Sequence, residues 1–301
     1  MAVLWRTEPN RAMNVKEILN RPAPSILYHY TTQHGLLGII NNKEIWATHT
    51  QYLNDVREFR HATDLMRKEV SSIANEPLFD QSALACLQPM REALRPGIES
   101  VNVCVCSFSE KGDSLPQWRA YGGPASGFAI GFSGAYLRQI SEGLGWLVRV
   151  EYDEEQQRLL IRTLLEDVLE ENRKRRSEEQ GRYIPTQGNL VAYLNRYAPI
   201  LKHKSFKEES EWRIIIRPRM CVDERFSYRI GPSMLIPYFR LSIGDAEALG
   251  IQEIVVGPTP HPKEALASVR GLLIKNEIPV FAPHSPCGVK VRRSEVPFRN
   301  W

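Results

Sequence analysis

Two apolar periods run along the chain. Alternating or short β-branched runs at Leu27–Thr31, Ile45–Thr48, "VNVCVCSF" (101–108), "GFAIGF" (127–132) and "WLVRVEY" (146–152) predict strands. The last third adds "EWRIIIRP", "RFSYRI", "LIPYFRLS", "EIVVGP" and "PVFAP". Helical spacing predicts Gly35–Asn41, then a helix capped by Asp55 that carries Phe59, Ala62, Leu65, Met66 and Val70. Further helices are expected over Gln81–Leu94, Asp153–Gln180 with Leu160, Leu164 and Val168 on one side, Leu190–Lys202 and Pro262–Lys275. The charged end "RKRRSEEQ" mixes signs and reads as a solvated helix end rather than a nucleic-acid stripe. No fixed repeat and no Pro/Gly linker divides the chain. The expected fold class is therefore α+β: one domain over residues 25–301 with a mixed or mostly antiparallel sheet, or two packed sheets, and helical insertions. It follows a lead-in, residues 1–24, that ends in "RPAPS".

Composition narrows the class without naming an activity. The 301 residues are 43% hydrophobic and 25% charged, enough for a sizeable core without disulfides or metals. A net charge of +4 permits a nucleic-acid or nucleotide partner but does not argue for one. The cysteines, Cys86, Cys104, Cys106, Cys221 and Cys287, are odd in number and contain no C-x-x-C pair. Cys104 and Cys106 would share one face of a strand, so all five read as reduced, in a cytoplasmic protein with no metal site. No stretch reaches the roughly 18 apolar residues of a membrane span, and the N-terminus lacks a signal-peptide run.

Three short constellations carry candidate chemistry. In "YHYTT", Tyr28 and Tyr30 share one strand face, and His29 and Thr31 the other. His29 is either a ligand group or a structural histidine with Nδ1 on a carbonyl. In "DSLPQWRAYGG", Asp113 or Ser114 caps a short helix bearing Trp118, Arg119 and Tyr121. That set suits a flat ligand with phosphates, because Arg forks onto phosphate and the rings offer stacking faces. The alternative is an aromatic plug over the sheet edge. In "KSFKEESEWRIIIRP", alternation from Glu209 puts Glu209, Glu211 and Arg213 on one face, either as a functional carboxylate held ionised by Arg213 or as a surface ion pair.

The stretches "LYHYTTQHGLLGII", "IWATHTQYLNDVREF", "CVCSFSEKGDSLPQWRAYGGPASGFAIGF", "HKSFKEESEWRI" and "VRRSEVPF" resemble a bacterial family catalogued as domain of unknown function 2971 (DUF2971). More distantly, the order His, Tyr, Glu resembles the ADP-ribosyltransferase superfamily. "HYT" at His29–Thr31 is similar to its first-strand motif, with Tyr30 where Gly is usual. Tyr121 in "WRAY" stands for the middle aromatic, and Glu211 in "ESEW" for the late catalytic glutamate. Glu209 and Glu211 have the E-x-E spacing of arginine-directed members.

That resemblance implies NAD as substrate, no metal, and a site in which His29, Tyr121 and Glu211 are catalytic and line one cleft where two sheets join. His29, Tyr30, Thr31, Trp118, Arg119, Tyr121 and Asn54 would bind NAD. Glu211 would take the ribose 2′-hydroxyl and face the developing cation, His29 with Thr31 would hold the adenosine-side ribose, and Tyr121 would stack on nicotinamide. Arg119 would bind pyrophosphate, and Glu209 would position the acceptor. Asn54 and Asp55 would line the pocket or cap the adjoining helix. The acceptor would be nucleic acid or protein, with a toxin or phage-defence role by analogy. An antitoxin or a second copy of the chain would be the protein partner. Two other classes stay open: a non-catalytic module that senses a nucleotide or binds a partner, and a metal-dependent nuclease using His29, Asn54, Asp55 and Glu58.

Overall fold

Polar breaks in the apolar pattern become the turns of an α+β fold. The computed structural model describes residues 17–18, 20–53, 57–75, 103–123, 126–178, 197–216, 223–244, 250–283 and 287–297. Its strands are β1 (Ile26–Thr31), β2 (Glu44–His49), β3 (Cys104–Ser109), β4 (Phe128–Ser133), β5 (Gly145–Arg149), β6 (Glu211–Ile216), β7 (Phe226–Ile230), β8 (Leu235–Ser242), β9 (Ile251–Val256) and β10 (Lys290–Arg293). Its helices are α1 (Gln33–Asn42), α2 (Arg57–Ala74), α3 (Leu115–Tyr121), α4 (Gly134–Ser141), α5 (Glu154–Glu178) and α6 (Pro262–Lys275). The Thr32 hydroxyl accepts from Gly35 N to cap α1, and Lys43 ends that helix in the left-handed conformation.

The ten strands run β10-β9-β4-β1-β3-β2-β8-β7, with β6 and β5 added on the other side of β3. Every pairing is antiparallel except β10 with β9. β3 organises the sheet. One edge takes β6 along its whole length, Cys104↔Ile216 to Ser109↔Glu211. The other edge is shared: β2 pairs only at Thr48↔Val105 and His49↔Cys104, and β1 only at Tyr28↔Ser109. Continued registers would set both Tyr30 and Trp46 opposite Ser107. Two strands cannot occupy one place, so β1 and β2 part there and the sheet divides into two wings.

Both faces are covered. Leu36, Ile40, Leu137, Val269 and Leu273 of α1, α4 and α6 pack with Leu27, Phe132, Trp212 and Phe239. On the opposite face Met66, Val70, Leu160 and Leu164 of α2 and α5 pack with Val105, Val148 and Ile215. Ile18, from the expected lead-in, is buried in this second cluster. A small third cluster joins Tyr30, Trp118, Ala129 and Val255.

Several boundaries differ from the sequence pattern. The strand expected from Glu209 starts at Glu211, because Lys204–Glu209 form a 3-10 turn that ends at Ser210 with φ 47°. The described end of the helix expected over 190–202 is Tyr197 followed by the 3-10 turn Ala198–Ile200, since Pro199 cannot donate to a helical ladder. "PVFAP" forms only the bridge Val280↔Val289, its prolines lacking the ladder donor. β10 went unanticipated in "KVRR", which has little apolar pattern. The expected helix over 81–94, Asp55, and Cys86 and Cys221 lie outside the described residues. Cys104, Cys106 and Cys287 are free thiols. No described helix is long and apolar enough to cross a membrane.

One backbone approach beside the later site admits no side chain. A Cβ on Gly127 would lie 2.4 Å from Gly122 Cα and 3.0 Å from the Thr31 carbonyl oxygen. Gly127→Ala is expected to cost about 1–3 kcal/mol, read as a lower urea midpoint at unchanged m-value. An unchanged midpoint would mean that the turn yields freely.

Candidate functional site

Two polar residues in an apolar strand start the site. Ser107 and Ser109 of β3 stand opposite Arg213 and Glu211 of β6, so all four side chains point to one face. Glu211 and Arg213 are buried at 4% and 2% exposure. Arg213 donates from Nε to Glu211 Oε1 (2.7 Å), from Nη2 to Oε2 (3.0 Å) and from Nη1 to the Pro199 carbonyl (2.9 Å). Lys202 Nζ donates to Glu211 Oε2 at 2.9 Å and to Glu209 Oε2 at 2.7 Å. Glu211 N donates to Tyr152 Oη at 3.0 Å, which burial and the Glu211 charge hold protonated.

The two carboxylates are driven apart in acidity. Burial alone would raise Glu211, but the Arg213 and Lys202 cations overrule it and hold the carboxyl down at about 2. Glu209 goes the other way: burial raises it further than Lys202 lowers it. Glu211 stays ionised and accepts two hydrogen bonds from Arg213 and one from Lys202. Glu209 binds only Lys202 among the described residues, which leaves Oε1 open. A neighbouring pair pushed in opposite directions is the electrostatic pattern of divided acid and base roles.

Local structure explains the convergence. Ser109 Oγ donates to the Glu209 carbonyl (2.7 Å) and Lys111 Nζ to the Glu208 carbonyl (3.0 Å), which ties the 3-10 turn to the end of β3. The left-handed Ser210 then lets Glu209 and Glu211 reach one ammonium. Lys202 is held in place by Gln157, whose Nε2 donates to its carbonyl at 2.7 Å. Tyr121 closes α3, which packs on the 3-10 turn, and is 41% exposed. Burial of its inner end and the Glu209 and Glu211 charges push its phenol up to about 12.

His29 points to the opposite face of the sheet from this group. Its Nδ1 lies 3.0 Å from the Ser107 carbonyl oxygen, in the opening where β1 leaves β3, and its ring tilts against Phe108. Burial lowers its pKa more than that hydrogen bond raises it, which favours the neutral ring. With Nδ1–H donating to the carbonyl, Nε2 is an acceptor, and among the described residues it has no partner. Ser107 thus meets His29 through its carbonyl, while its side chain lies on the face that carries Glu211.

The remaining expected residues are dispersed. Thr31 follows the His29 face and packs on α1, where a Cβ at Gly35 would meet its Oγ1. Tyr30 is buried, donating to the Lys111 carbonyl (2.8 Å) and accepting from Ser114 N (3.0 Å). Trp118 is 3% exposed and set edge-on to Tyr30, so its ring faces are packed. Arg119 is exposed on α3. Asn54 and Asp55 lie outside the described residues, and Glu58 belongs to α2 with its side chain outside them. Lys202 and Tyr152 escaped the sequence reading because neither stands in a pattern. Ser107 and Ser109 had a signal, two hydroxyls in an otherwise apolar strand.

A comparison with protein families adds one finding at this point. Residues 117–214 match the model of the family "Protein of unknown function (DUF2971)". That span holds Trp118, Arg119, Tyr121, Tyr152, Lys202, Glu209, Glu211 and Arg213, whereas His29, Thr31 and Ser107 precede it. Searches of curated proteins and of solved structures returned no match.

Proposed function

We propose that the chain is an NAD-dependent ADP-ribosyltransferase, or an NAD glycohydrolase when water is the acceptor. The observation that carries this reading is the buried, ionised Glu211 of the strand paired to β3, held by Arg213 and Lys202 beside Glu209, while the Ser107 carbonyl of β3 meets His29 from the opposite face of the sheet. In the proposed reaction the bond between ribose C1′ and the nicotinamide nitrogen breaks, with its electron pair leaving on nicotinamide. The cation left on the sugar is stabilised by ionised Glu211. A ribose hydroxyl reaches Glu211 by taking the place of Lys202 on Oε2. His29 Nε2 accepts from a hydroxyl of the other ribose. Tyr121 stacks on nicotinamide, and Arg119 takes a pyrophosphate oxygen from the exposed side of α3. The acceptor's oxygen or nitrogen forms the new bond to C1′, and the open Oε1 of Glu209 receives the displaced proton.

The test is nicotinamide release from NAD by wild type, Glu211→Gln, Glu209→Gln and Tyr121→Ala, with and without cell lysate. Circular dichroism of each variant verifies folding. Wild type is expected to release nicotinamide, and Glu211→Gln to be slower by about 10²–10³. Tyr121→Ala is expected to raise KM. Equal rates in wild type and Glu211→Gln, or neither binding nor release, would remove the reading. Tight NAD binding without release would make the chain a nucleotide sensor.

A further inference from the structure

A second polar knot lies on the other side of α3, outside the proposed chemistry. Asp113, just before the helix, accepts three hydrogen bonds. Trp118 Nε1 donates to Oδ1 at 2.7 Å, Ser294 Oγ donates to Oδ1 at 2.5 Å, and Glu295 N donates to Oδ2 at 2.7 Å. Ser294 also donates its N–H to the Val256 carbonyl (2.7 Å), and its Oγ accepts from Val296 N (3.1 Å). Val296 packs on the cluster of Tyr30, Trp118, Ala129 and Val255. The carboxyl-terminal segment therefore crosses the base of α3 and is fastened to it by one carboxylate.

The local design fits this role. Ser114, the N-cap residue of α3, makes no side-chain cap bond, so the helix has no anchor of its own kind at that end. A helix of seven residues is too short to persist alone. Its orientation comes from outside: Trp118 packs on Tyr30, Ala129 and Val255, Ser114 N donates to Tyr30 Oη, and Asp113 adds a polar hold that joins Trp118 to Ser294 and Glu295. Tyr121 is three residues beyond Trp118, at the end of a helix that packs on the 3-10 turn carrying Glu209. The segment is only partly buried, and beyond its polar bonds its apolar hold is Val296.

We propose that Ser294–Val296 act as a strap that positions the candidate site: through Asp113 they fix α3 and thereby set Tyr121, at its end, relative to the 3-10 turn that carries Glu209. Asp113 and Ser294 are positioning residues and touch no substrate. The consequence for the site rests on the NAD reading above, whereas the hold on α3 does not.

The experiment uses the full-length chain with Ser294→Asp, which puts a second carboxylate against Asp113 and removes the donated bond, and Ser294→Thr, which keeps the hydroxyl. Amide hydrogen exchange over residues 115–121 is compared with that over 211–216. Ser294→Asp is expected to speed exchange in the first segment by about tenfold or more and leave the second unchanged, with Ser294→Thr close to wild type. Equal exchange at 115–121 in Ser294→Asp and wild type would overturn the strap. Faster exchange in both segments would overturn it too, as general loosening. Where wild type turns over NAD, Ser294→Asp should also raise KM more than it lowers kcat, and an unchanged KM would overturn the positioning of Tyr121. Absence of turnover in wild type removes the NAD reading alone, and the exchange result still decides the strap.

Discussion

Arg213→Met is expected to lower the unfolding free energy by about 3–5 kcal/mol, the largest loss from any single change in the candidate site. Arg213 is 2% exposed and makes two hydrogen bonds to Glu211 and one to the Pro199 carbonyl. Met keeps the apolar stem and lacks the guanidinium, so the loss is mainly electrostatic, with a small void added where the guanidinium stood. What remains is a buried Glu211 sharing Lys202 with Glu209, two carboxylates on one ammonium, and a carbonyl without its donor. Desolvation of a charge stripped of its partner sets the size of the effect. Urea unfolding measures it. Adding Glu211→Gln to Arg213→Met should cost much less than Glu211→Gln costs in wild type, because the stranded charge is gone. A single-variant loss under about 1 kcal/mol would mean that the pair is solvated and the site more open than its burial indicates.

Acid should unfold the protein through the same carboxylate. Folded Glu211 is held at about 2 against an ordinary 4.5. Above 4.5 the group is ionised in folded and unfolded chains alike, and its full contribution, about 3 kcal/mol, is present. As pH falls from 4.5 towards 2, the unfolded chain takes up a proton that the folded one refuses, and the contribution drains away. Glu253, lowered by Arg292 and Tyr28 against its own burial, adds a term of the same sign. Glu209, raised by burial, acts oppositely: it stabilises the fold at low pH and loses that contribution as pH rises above the ordinary value. Unfolding free energies between pH 2.5 and 6 should therefore fall steeply with acid in wild type and more gently in Glu211→Gln. Parallel curves would show that Glu211 titrates normally and that Arg213 and Lys202 do not hold it.

Much of the fold was legible because strands and helices announce themselves locally. "VCVCSF", "FAIGF" and "RIII" have little use other than as buried strands, and each is one. The helix Pro262–Lys275 has the bounds its spacing predicts, with Pro as its first residue. The pattern misled where proline removes donors, as at Pro199 and in "PVFAP", or where one left-handed residue restarts a strand, as at Ser210. Period alone has no term for either.

The sequence by itself determined the α+β class, most strand and helix positions, and the residue types available for chemistry: a histidine on the first strand, an aromatic–arginine helix, and an E-x-E ahead of a strand. Only the tertiary structure decided which of these meet. Lys202 reaches Glu209 and Glu211 because a parallel bridge, Glu151↔Leu201, and the Gln157 side chain bring a distant loop to the start of β6. His29 meets the Ser107 carbonyl because β1 and β2 compete for one edge of β3 and part at Ser107. Trp118 and Tyr30, equally plausible as ligand groups in the sequence, were taken by packing and by Asp113. Local patterns encode what one segment does with its own backbone and faces. Strand pairing across more than a hundred residues sets which side chains share a site, and no local period carries that information.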